Sequence, residues 1–148
     1  MSLSFLGRSH ALAWIKTHCL QIPLFSEAVS AGFPSPAQDY VEKALDLNEL
    51  CIKRPAATFF VRVEGDSMIQ AGIYAGDILV VDRSVTAEHG DTVIVAIHGE
   101  MTVKELELRP TVRLVPRNPA YSAIEIPEGT ALDIFGVVTN VIRNIRHK

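Results

Sequence analysis

Ser67 and Lys104 are the two residues of this chain whose types suggest shared chemistry. Ser67 lies in VRVEGDSMIQAGI (Val61–Ile73), between an alternating apolar stretch and a short helix-like one, and Lys104 lies in EMTVKELEL (Glu100–Leu108). A serine hydroxyl needs a base before it can act as a nucleophile. A free lysine has a pKa of about 10.4 and is almost fully protonated at neutral pH, so it cannot accept the serine proton. Burial disfavours the charged form and can bring a lysine into working range. Serine with a lysine base requires neither histidine nor aspartate.

Each residue also has an ordinary reading. Ser67 followed three residues later by Gln70 is a capping box, and Gly65 and Asp66 before it are turn residues. A cap and a nucleophile are compatible, because a helix start also presents the free backbone N–H groups that an oxyanion hole requires. On a strand, Thr102, Lys104, Leu106 and Leu108 point to one side while Met101, Val103, Glu105 and Glu107 point to the other. Lys104 then either lays its stem on apolar surface with its ammonium in water, or is desolvated between leucines. Spacing alone leaves open whether Ser67 and Lys104 meet.

The elements that must position them begin after Pro55, where the hydrophobic period becomes two and β-branched residues accumulate. TFFVRVE, DILVVD, DTVIVAI, EMTVKELEL, TVRLVP, SAIEIP and LDIFGVVTNVI read as successive strands between Gly, Pro, Asp and Asn punctuation. His98-Gly99 fits a tight hairpin turn. Strands so closely spaced predict a mainly β fold, a largely antiparallel barrel or sandwich. Before Pro55 the pieces are helix-compatible or irregular. In YVEKALDLNEL, Val41, Leu45 and Leu50 can share a helical face. Pro34 and Pro36 favour an extended link, so residues 1–38 read as an arm and 39–148 as the β-domain.

Composition narrows the function classes. At 148 residues, 48% apolar and 21% charged, the chain suits one globular domain. A net charge of −3 does not suggest a nonspecific grip on nucleic acid, and the basic tail RNIRHK reads as a solvated end. Cys19 and Cys51 are too few for a disulfide framework, and the five histidines fall in no ligand pattern, so no metal or cofactor is expected. Arg8, His10 and Lys16 interrupt any secretory signal, and no run is long enough to span a membrane. A soluble cytoplasmic protein is expected.

GDSM at Gly65–Met68, GDILVVD at Gly76–Asp82, HGDTVIVAIHGEMTVKEL at His89–Leu106 and DIFGVV at Asp133–Val138 resemble the LexA-like self-cleaving serine/lysine peptidase family, most of all its UmuD-like branch. The resemblance extends upstream through PLFSEAVSAGFPSPAQDYVEKALDLNEL. It implies a peptidase domain of antiparallel strands, shared with signal peptidases, behind a flexible N-terminal arm. Matched motif to motif, the family's nucleophile falls on Ser67 and its general base on Lys104. SAGF at Ser30–Phe33 resembles the family's cleavage segment, which places the scissile bond between Ala31 and Gly32. Many UmuD-like proteins have Cys-Gly at that point, and Ala-Gly occurs in LexA and some plasmid-borne relatives.

The resemblance further implies a homodimer, stimulation by the RecA filament on single-stranded DNA, and a UmuC-like polymerase subunit as partner in SOS mutagenesis. Two other readings stand beside it: a LexA-like repressor fragment, and a non-catalytic β-domain interaction module in which Ser67 is only a cap. Too little chain precedes the cleavage segment for a helix-turn-helix domain, which argues against the repressor and against direct sequence-specific DNA binding. A signal peptidase is disfavoured by the missing membrane anchor.

Overall fold

A computed structural model describes residues 20–25 and 41–146. The chain divides into two units after Leu50. In the first, β1 (Ile22–Phe25) and β2 (Val41–Leu45) form an antiparallel ribbon, with Ile22 paired to Leu45 and Phe25 to Val41. A short helix, α1 (Leu47–Cys51), follows, its start capped where Asn48 N–H donates to Asp46 Oδ1 at 2.8 Å. The helical face expected from Val41, Leu45 and Leu50 does not form, because Val41 and Leu45 belong to β2 and only Leu50 is helical. Pairing with a strand well upstream decides this, and a local hydrophobic period cannot register it. Residue 38, the expected arm boundary, and the Ala31-Gly32 pair lie outside the described residues.

The second unit holds a seven-stranded sheet of β3 (Thr58–Arg62), β4 (Ile78–Asp82), β5 (Thr92–Ile97), β6 (Glu100–Glu107), β7 (Arg113–Val115), β8 (Ile124–Glu125) and β9 (Ile134–Ile142). Their order is β3-β4-β9-β5-β6-β7-β8, and every neighbouring pair is antiparallel. The expected mainly β, antiparallel architecture is borne out. SAIEIP contributes only the two residues of β8, as Pro127 has no N–H with which to prolong a ladder.

Both faces of the central strands are covered. Leu79, Val81 and Ile94 join Val63, Met68 and Ile73 in one apolar cluster, while Val93, Val95, Leu106, Leu114 and Val137 form another. Adjacent residues of β5 thus enter different clusters, which is why its sequence reads as a nearly unbroken apolar run and not as a clean alternation. Full burial of side chains of this size contributes about 1.5–3 kcal/mol each, enough in sum to hold a polar group against its preference for water. Gly136 in β9 permits close strand approach, since a Cβ there would meet Val81 Cγ1 at 2.6 Å.

The β5–β6 hairpin turns through His98 and Gly99, both with positive φ (51° and 80°), as a two-residue type I′ connection demands. That turn sets the register that matters here: Val93 opposite Lys104, and Val95 opposite Thr102. Lys104 therefore lies across from a fully buried valine and shares its strand face with buried Leu106.

Candidate active site

Ser67 occupies the turn after β3, two residues ahead of the first residue of a single 3-10 turn at Ile69–Ala71. Met68, only 2% exposed, anchors that turn in the first apolar cluster, and Gly72 closes it in the left-handed region. The capping box expected of Ser67 and Gln70 does not form. Met68 takes the cap position without a side-chain bond, and the Gln70 N–H donates to the Arg117 carbonyl at 2.8 Å. A tertiary partner has taken the donor that a local cap would have satisfied, which leaves the Ser67 hydroxyl for other work.

That hydroxyl faces Lys104. Lys104 Nζ donates to Ser67 Oγ at 3.3 Å, across 37 positions of sequence. The same nitrogen donates to Thr102 Oγ1 and to the Val103 carbonyl, each at 3.0 Å. The lysine is 8% exposed, and burial pushes its pKa below the ordinary lysine value. None of its three hydrogen-bond acceptors is a carboxylate. A protonated amine has three donors for these three acceptors, while a neutral amine has two donors and one lone pair. With Thr102 and Val103 taking the two remaining donors, the lone pair of the neutral form is directed at Ser67.

Among the described residues, the N–H groups of Ser67 and Met68 have no hydrogen-bond acceptor, so they are free to receive one. An open groove bordered by Val61, Val63, Gly65, Met68 and Met101 runs beside Ser67. Its lining is mixed, with Arg62, Glu64 and Thr102 beside the apolar side chains, and it borders the end of edge strand β3. An open groove beside a sheet edge can take an extended backbone.

Sequence reasoning missed the residues that hold the serine turn in place. Arg117 N–H donates to the Ser67 carbonyl at 2.8 Å, Asn118 Nδ2 donates to the Asp66 carbonyl at 2.8 Å, and Tyr121 Oη donates to Asp66 Oδ1 at 2.5 Å. No local pattern in RNPAY signals contacts made roughly fifty residues away. The basic tail also differs from expectation at its first residue. Arg143 is not simply solvated: its Nε and Nη2 donate to buried Asp77 at 2.6 and 2.5 Å, and its guanidinium lies 4.5 Å from the Tyr74 ring. Among the described residues no cluster of metal-ligating side chains occurs, and no helix is long and apolar enough to cross a membrane.

Residues 23–139, which include both the serine turn and β6, match the Peptidase S24-like family. The chain belongs to that family. Among its curated relatives, SamA of Salmonella typhimurium strain LT2 is 54% identical over 124 residues, covering 84% of this chain and 86% of SamA. MucA of Escherichia coli is 49% identical over 120 residues, covering 80% and 82%. A LexA repressor of Alcanivorax borkumensis is 38% identical over 118 residues, which is 78% of this chain but 56% of the repressor. The UmuD-like resemblance read from the motifs is borne out by these matches. Membership in the S24 family places the chain among peptidases that include self-cleaving serine enzymes such as LexA.

Proposed function

We propose that this S24 family member is a self-cleaving accessory subunit of an error-prone DNA polymerase, processed at Ala31-Gly32 in the SOS response. The observation that carries the reading is the contact between Lys104 Nζ and Ser67 Oγ, made by a buried lysine with no carboxylate partner. A solvated strand lysine beside a capping serine would show neither feature.

In this reading neutral Lys104 takes the proton of Ser67 as Oγ attacks the Ala31 carbonyl carbon. The carbonyl oxygen becomes an oxyanion, for which the free N–H groups of Ser67 and Met68 are available donors. Lys104 then gives its proton to the Gly32 nitrogen as the Ala31–Gly32 bond breaks, leaving Ala31 esterified to Ser67. Water, deprotonated by Lys104, attacks that ester and frees the serine. An Ala-Gly pair carries little side-chain bulk, which suits approach to a half-buried nucleophile. The finer parts of the proposal are a cytoplasmic homodimer, RecA-filament stimulation and a UmuC-like polymerase partner, carried over from the UmuD-like resemblance of the motifs at Gly65–Met68 and His89–Leu106.

Intact-mass analysis of purified protein before and after incubation at mildly alkaline pH tests the reaction and its bond together. Wild type should yield a fragment beginning at Gly32, while folded Ser67→Ala and Lys104→Ala stay whole. A folded Ser67→Ala or Lys104→Ala chain that still yields this fragment at the wild-type rate rejects the assignment of that residue.

A further inference from the structure

The Ser67–Lys104 contact, at 3.3 Å, is longer than the other two bonds of Lys104 Nζ, both at 3.0 Å. A contact of that length holds its partners only loosely, so their alignment depends on what surrounds them. One residue touches both sides of the site. The backbone of Arg117 bridges the serine turn, donating to the Ser67 carbonyl and accepting from the Gln70 N–H, both at 2.8 Å. Its side chain reaches the base strand, where Nε donates to Glu105 Oε2 at 2.7 Å and Nη2 donates to Glu105 Oε1. Glu105 is the immediate neighbour of Lys104 in β6.

We propose that Arg117 is a positioning residue for the cleavage reaction, clasping the turn that carries Ser67 to the strand that carries Lys104. The proposal rests on the Ser67/Lys104 reading given above. A bidentate guanidinium–carboxylate pair fixes direction as well as distance, so the clasp limits both translation and rotation of the turn against β6. Asn118 and Tyr121 extend it by holding Asp66. The pair is part-buried, with the Arg117 side chain 40% and the Glu105 side chain 18% exposed, so removing the guanidinium costs some stability as well as alignment. The two effects are separated by reading the rate beside thermal unfolding.

The test is the unassisted self-cleavage rate of the full chain, followed by intact mass from neutral to strongly alkaline pH, with thermal unfolding as a check on folding. Arg117→Met keeps both backbone bonds and removes only the guanidinium. It should lower the rate on the alkaline plateau by about tenfold, in keeping with the sensitivity of catalysis to small misplacements, while the midpoint of the pH profile stays put. Glu105→Gln, which retains one acceptor, should show a smaller loss. The exchange Glu105→Arg with Arg117→Glu should restore most of the plateau rate.

A wild-type plateau in Arg117→Met, or in Glu105→Gln should Arg117→Met prove unfolded, overturns the clasp. So does a profile that only shifts its midpoint, which would make Arg117 an electrostatic influence on Lys104. Failure of the underlying dyad reads differently: Ser67→Ala or Lys104→Ala then cleaves in an otherwise unaltered chain, whatever residue 117 is.

Discussion

Thr102 Oγ1 lies 3.0 Å from Lys104 Nζ, closer than the Ser67 oxygen that the lysine is proposed to deprotonate. The two residues are neighbours on one face of β6, and the threonine hydroxyl occupies one donor of the amine in either protonation state. Thr102→Val keeps the shape and removes that acceptor. Released from one of its two fixed partners, the neutral amine points its lone pair at Ser67 for less of the time. Self-cleavage should fall about tenfold or more with the chain still folded, as measured by intact mass and circular dichroism. An undiminished rate would show that Thr102 does not orient the base.

The rate of unassisted cleavage should climb as pH rises from neutrality. Burial lowers the Lys104 pKa from its ordinary value, so the neutral amine accumulates before a free lysine would release its proton. The sign for stability follows from the same shift. Between the folded and unfolded pKa values the unfolded chain binds more protons, so this group adds to stability as pH rises through that window, and its burial costs most below it. Initial rates at fixed temperature between about pH 7 and pH 10 check the first point. A flat or falling profile in folded protein removes lysine from the role of base.

Gly32→Glu should leave the chain uncut, because it adds bulk and charge where the bond must meet the serine. Mixed with Ser67→Ala, it also reports which chain cuts which. From Gly32 to Ser67 there are 35 residue steps, and an extended segment of that length reaches on the order of 115 Å. In the proposed homodimer, chain length therefore does not confine the bond to its own subunit, and exchange of identical elements between protomers costs little. Cut Ser67→Ala chains should appear in the mixture after subunit exchange, seen by mass spectrometry, with each variant alone remaining whole. Intact Ser67→Ala chains in demonstrated mixed dimers would confine the reaction to one chain.

Gly136→Ala should be destabilising although it adds one methyl. The new carbon would stand 2.6 Å from Val81 Cγ1 and 3.1 Å from the Asp82 carbonyl, so β4 and β9 must part or twist. Overpacking of a core costs about 1–3 kcal/mol, to be read as a lower denaturant midpoint. An unchanged midpoint would show that the two strands yield freely at this point.

The strands were legible because alternation and β-branching are local. Lys104 was legible as a choice between solvated and buried, since its face carries Leu106. The failures share one cause. Val41–Leu45 reads as part of a helical face until its pairing with Ile22–Phe25 is known, and Ser67 reads as a cap until Arg117 is seen to occupy the Gln70 N–H. Arg143 reads as tail until Asp77 is placed beside it. Each of these outcomes is decided by a partner far off in sequence, where no periodicity points.

The last described strand, β9, lies in the middle of the sheet, between β4 and β5. A chain still emerging from the ribosome thus has the strands of its serine half and of its lysine half, but not the piece that joins them. The bond proposed for cleavage is made early in synthesis, and the means to cut it comes only when residues near 142 have been added and folded inward. A product truncated or stalled before β9 would carry the target without the blade, so in the proposed reading processing would be reserved for chains long enough to have laid that strand into the sheet.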